Sequence, residues 1–134
     1  MTDAERDLFD VLVEEALLEL PERVARMLDD MPLVVDDRPD AQTLRSMGMT
    51  PTEGDGLCGL FSGLMDTEQT LLESPPVMPN MVQIYREGIV LTAGGWSQPE
   101  ADERVYEQIM ITILHEIGHR FGLDEEDLGR LGYA

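Results

Sequence analysis

The chain contains two histidines, and they stand four residues apart in His115-Glu116-Ile117-Gly118-His119. In an α-helix residues i and i+4 share a face, with Cβ atoms roughly 6 Å apart. That is close enough for both imidazoles to bind one zinc ion at about 2.0–2.1 Å. Glu116 is turned from His115 by about 100° around the helix axis, so its carboxylate can flank the metal rather than ligate it. From there it can take a proton from an attacking water and return it to a leaving amine. The plainer reading is a core helix with two hydrogen-bonded histidines. Against it, the surrounding residues are dominated by Ile, Leu, Val and Met, among which an unpartnered imidazole costs free energy.

Two imidazoles do not hold a catalytic zinc, which normally takes three protein ligands and keeps one open position. With no further histidine, the third ligand must be a carboxylate or Cys58. Gly122 lets the backbone reverse just after the motif, and Leu123-Asp124-Glu125-Glu126-Asp127 then supplies four acids. Counted from His115 the pattern is H-E-x-x-H-x-x-G-x-x-E, the spacing of metzincins, whose last position is usually His. A carboxylate oxygen can replace that imidazole. Glu125 is the expected third ligand, with Asp124 and Asp127 as rivals. The competing reading gives the same acids to the cap and first turn of one more helix, predicted over 124–131.

The elements that must position these groups are legible from periodicity. Val105, Ile109, Ile113 and Ile117, widened by Met110 and Leu114, form the buried stripe of a helix predicted over 99–121. Ser97 or Gln98 would cap it and Pro99 would sit in its first turn. At the other end Phe9, Leu12, Val13, Ala16 and Leu17 mark an amphipathic helix from Asp3. It stops ahead of Pro21, and a short helix over 22–28 follows. Strands are predicted over 32–37, 57–62 and 81–85, with a turn of helix and loop between 40 and 55. Ile89-Val90-Leu91 reads as the second arm of a hairpin begun by 81–85, and Gly94-Gly95 ends it.

Taken together, these segments resemble the small bacterial zincin-like metallopeptidases. The resemblance rests on His115 to Gly122 with the acidic turn and Leu128, and on the closing Leu131-Gly132-Tyr133. It extends to Leu20-Pro21-Glu22, Val34-Val35-Asp36-Asp37, the run from Leu57 to Gly63, and Met81 to Arg86. It implies an α+β fold of minimal zincin type, a small mixed sheet packed on the active-site helix, plus an N-terminal helix. It also implies Zn2+ held by His115 and His119, with Glu116 as the base. That family usually has Asp where this chain has Glu125. The last methionine, Met110, precedes the motif, so the methionine turn of metzincins proper is not expected.

Composition narrows the alternatives. The 134 residues fit one domain, 1–134. Nine Lys and Arg against 28 Asp and Glu leave a net charge of -19, which repels phosphate backbones and anionic membrane surfaces. Neither nucleic acid nor a membrane is an expected partner. No apolar run approaches the ~18 residues of a membrane span, and the acidic start is unlike a secretory signal. One cysteine makes no internal disulfide, which points to the cytoplasm. Cys58 as a blocking thiolate ligand is weighed against simple packing in a strand, and Tyr85 or Tyr133 as carbonyl polarisers against ordinary burial. The expected activity is zinc-dependent hydrolysis of peptide bonds, the peptide adding as a strand to 81–85. The alternatives are an inactive zincin-like binding module and an acidic regulator of a basic protein.

Overall fold

The computed structural model describes residues 1–62 and 81–120, the last two by backbone alone. Helix α1 (Asp3–Glu19) opens with a reciprocal cap: Thr2 Oγ1 accepts from the Glu5 N–H, and the Glu5 carboxylate accepts from the Thr2 N–H. Its predicted stripe is the buried one, with Phe9, Leu12, Val13 and Ala16 inside. The chain turns extended at Leu20, ahead of Pro21. Helix α2 (Glu22–Met27) then runs into a single 3-10 turn, Leu28–Asp30.

Strand β1 (Leu33–Asp36) is followed by two short helices where one turn and a loop were expected. These are α3 (Ala41–Ser46), capped by Asp40, and α4 (Pro51–Gly54), capped by Thr50 with Glu53 reciprocating. Strand β2 (Gly59–Ser62) starts later than predicted, and β3 (Met81–Tyr85) matches its prediction. The three strands form one mixed sheet in the order β1-β3-β2, β1 parallel and β2 antiparallel to β3. Gly59 pairs with Ile84 and Phe61 with Val82. Paired residues share a face, and Val82 and Ile84 on that face are fully buried in the same core as Ile109 and Ile113.

Two expectations are overturned here. Segment 81–85 is the central strand of the sheet, with both its sides paired, so no peptide can add to it. Ile89-Val90-Leu91 belongs not to a hairpin but to helix α5 (Arg86–Ala93). Ile89 and Val90 are buried while Leu91 is exposed; a short β-branched run does not distinguish helix from strand, and packing decides. Two contacts hold α5 in place. Arg86, its first residue, donates to both Asp10 oxygens at 3.0 and 3.1 Å and to Asp37 Oδ1 at 3.0 Å. Gly88 lies so close to the Leu57 carbonyl that no side chain fits between them. Asp37 also accepts from Arg6 at 3.0 and 3.1 Å. The hydrogen bond from Arg6, aided by Arg86, holds the Asp37 carboxyl below the ordinary carboxylate range. One charge cluster thus ties α1, the turn after β1, and α5 together.

Helix α5 ends at Gly94, which takes the left-handed conformation (φ 107°) that favours glycine. Gln98, expected as a cap for the following helix, instead donates to the carbonyls of Ala93 and Gly95 at the end of α5. Helix α6 (Ala101–Arg120) therefore begins two residues after Pro99. Val105, Ile109 and Ile113 are fully buried, with Leu114 and Ile117 nearly so. Helix α6 packs against α1, α5, β2 and β3, making it the axis of a small α+β fold. Among the described residues no helix is long and apolar enough to cross a membrane.

Candidate metal centre

His115 and Glu116 are half-buried on the last turns of α6, between the buried Leu114 and Ile117. The helical backbone continues unbroken through His119. His115 and His119 thus stand one turn apart on a common face, and the predicted i, i+4 relation holds. Flanking apolar residues of the same helix are fixed in the core, so the positions of both histidines on the fold are set by packing rather than by a loop. An imidazole pair supplies two nitrogen donors suited to zinc, with the Glu116 carboxylate beside them.

Strand β2 meets this part of α6 at unusually close range. A Cβ added at Gly59 would stand 2.7 Å from Thr112 Cγ2, 2.9 Å from the Gln83 carbonyl oxygen and 3.3 Å from Glu116 Cγ. Glycine at this point lets the first residue of β2 lie directly against the turn that carries Glu116. Thr112, buried, donates through Oγ1 to the Gln108 carbonyl at 2.7 Å, keeping its methyl on the side of β2. Sequence reading placed Gly59 in a strand but gave it no role. The available signal was a lone glycine within a strand pattern, a mark of close backbone approach.

Tyr85, the last residue of β3, is fully buried; its hydroxyl donates to Gln83 Oε1 at 3.0 Å. Burial, reinforced by the charges of Asp36, Asp40 and Glu116, pushes its phenol up to about 12. The buried ring and occupied hydroxyl favour the packing reading over that of a carbonyl polariser. Cys58 precedes β2 rather than lying within it. Its Sγ is 3.2 Å from Thr92 Oγ1 and 3.5 Å from the Gly88 carbonyl, an attachment of the β2 entry to α5.

Among the described residues no group of three His, Cys, Asp or Glu side chains stands together as a metal site. Glu125, with Asp124 and Asp127, lies outside the described residues, as do Gly122, Tyr133 and the helix expected over 124–131. The side chain of His119 does too.

No curated protein matches the chain. A family model for zincin-like metallopeptidases matches residues 28–133. That range takes in the whole sheet, α3 to α6 and the histidine motif, and leaves out α1. Helix, motif and match agree, and the chain belongs to the zincin-like metallopeptidase family.

Proposed function

We propose that this chain is a zinc-dependent peptidase that hydrolyses peptide bonds, with His115, His119 and Glu125 holding the metal and Glu116 handling the proton. The observation that carries the reading is the placement of His115-Glu116 and His119 on successive turns of a core helix, with β2 against Glu116 through Gly59. Bound zinc would supply Lewis-acid polarisation of the scissile carbonyl and a lowered pKa for water. Glu116, anchored on the rigid α6, would accept the proton of the attacking water and deliver it to the departing amine. Asp124 and Asp127 remain rivals of Glu125.

An extended substrate needs a strand with a free side. Since β3 is internal, the strand proposed to serve the site is β2, which among the described residues pairs with β3 alone and passes Glu116. A peptide lying along β2 would bring its scissile bond toward α6 through main-chain hydrogen bonds that are indifferent to side-chain identity. A single cysteine fits the reducing conditions of the cytoplasm.

The test is Glu116→Gln. The variant keeps the shape of the side chain and removes the base, so it should hold metal as the unaltered chain does and lose peptide hydrolysis by at least about 100-fold. Equal hydrolysis in the variant would refute the assignment of Glu116. Metal binding without turnover of any peptide by the unaltered chain would favour a zincin-shaped binding module instead.

A further inference from the structure

On the side of the molecule where α1 and α6 pack, a groove of about 530 Å³ lies outside the candidate metal centre. Its floor is Leu8, Val11, Leu12 and Tyr106, and its rim is Glu15 and Glu19 from α1 and Asp102, Glu103 and Glu107 from α6. Five of the nine lining residues are acidic and none is basic, against 28 acids in 134 residues overall. This is not the general character of the surface: the recess beside α3 is lined by Arg38 and Arg45 with one acid, Asp40. Val11 is 49% exposed, and Leu18, seven residues on along the same face of α1, is 87% exposed. The Tyr106 hydroxyl donates to Glu19 Oε2 at 2.7 Å, bridging the two walls.

We infer that this groove is a docking site for a basic amphipathic helix of a partner protein, laid as a third helix against α1 and α6. An apolar floor between two helices accepts the apolar ridge of another helix. The carboxylate rim selects Lys and Arg on its flanks, for both register and encounter rate. Neither segment outside the described residues has the basic composition of such an occupant. Residues 63–80 contain Asp66, Glu68 and Glu73 and no Lys or Arg, and residues 121–134 contain four acids and one Arg. A second copy carries the same net charge of -19 and would be repelled. None of the nine lining residues is a candidate metal-centre residue, so the inference does not depend on the peptidase reading.

The probe is a fluorescein-labelled Leu/Lys peptide of about 18 residues with Leu at i, i+3, i+4 and i+7. An isomer of scrambled order serves as its control, both titrated by anisotropy at about 150 mM salt. The amphipathic peptide should bind at least about ten-fold tighter than its isomer. Glu103→Lys with Glu107→Lys should weaken it about ten-fold, while Asp29→Lys with Asp30→Lys, which gives the same net charge, should change it less than about two-fold. Val11→Ser, an exposed helix position, should weaken it about three-fold and keeps the test decisive if a charge-reversed chain fails to fold. Equal binding of the two peptides, or equal weakening by the two charge-reversed pairs, would overturn the inference, because attraction to net charge alone would explain both.

Discussion

Replacing Gly59 by Ala inserts one methyl where β2, β3 and α6 meet. The new carbon would sit 2.7 Å from Thr112 Cγ2 and 2.9 Å from the Gln83 carbonyl oxygen, while carbon atoms are comfortable at about 3.5–4.0 Å. Relief requires α6 to move off the sheet by roughly 1 Å. Overpacking of this kind costs about 1–3 kcal/mol, offset by about 0.5–1 kcal/mol because Ala restricts the unfolded chain more than Gly does. The net loss centres on about 1 kcal/mol, with an upper end of about 2.5 kcal/mol, or about 3–5 °C in Tm at the centre for a domain of this size. Thermal melts followed by circular dichroism would measure it. Two further variants make the reasoning specific. Thr112→Ser removes Cγ2 and keeps the Oγ1 bond to the Gln108 carbonyl, so Gly59→Ala with Thr112→Ser should lose less than the sum of the two single changes. Gly56→Ala meets nothing within 4 Å and should shift Tm by less than about 2 °C. An unchanged Tm in Gly59→Ala, or strict additivity with Thr112→Ser, would refute the close approach of β2 to α6.

Asp37→Asn removes the charge shared by Arg6 and Arg86 and should cost about 1–2 kcal/mol, the three side chains being partly exposed. The Asp37 carboxyl is held below its ordinary 3.8, so its contribution is present above that pH and is lost as pH falls below it. Urea midpoints should therefore separate the two chains at neutral pH and converge in acid; a constant gap would contradict the pairing. Tyr85 and Tyr106 are both pushed up to about 12, chiefly by burial. Absorbance titration should find at least two of the three phenols protonated at about pH 11. Because a raised phenol favours the folded state below its ordinary pKa and loses that effect as pH rises toward 12, stability should fall in that window. Full ionisation of the folded chain at pH 11 would contradict both placements.

The parts of the fold most legible in sequence were those in which one periodic stripe meets one core. Phe9, Leu12, Val13 and Ala16 declared α1, and Val105, Ile109, Ile113 and Ile117 declared α6, because a 3.6-residue period over many turns has few competing explanations. Ile89-Val90-Leu91 was not legible: three apolar residues carry no period, and the helix there depends on Arg86 reaching Asp10 and Asp37, far away in the chain. Gln98 was expected, with Ser97, to cap the helix that follows; its amide instead donates to the carbonyls of Ala93 and Gly95 at the end of α5, a partner that its own sequence neighbourhood does not reveal. The central position of β3 is a matter of pairing order, to which its own residues are blind. At the candidate site, the spacing of His115 and His119 was readable because helix geometry alone sets it. The role of Gly59 was not, because it arises only where α6 crosses β2.

The central claim is that α6 carries a zinc site. The most direct measurement is metal content per chain by mass spectrometry, after loading with zinc and removal of excess. The account predicts about one zinc in the unaltered chain and in Glu116→Gln, and little or none in His115→Ala, His119→Ala and Glu125→Ala. Absence of zinc from the unaltered chain, or equal zinc in the histidine variants, would contradict it.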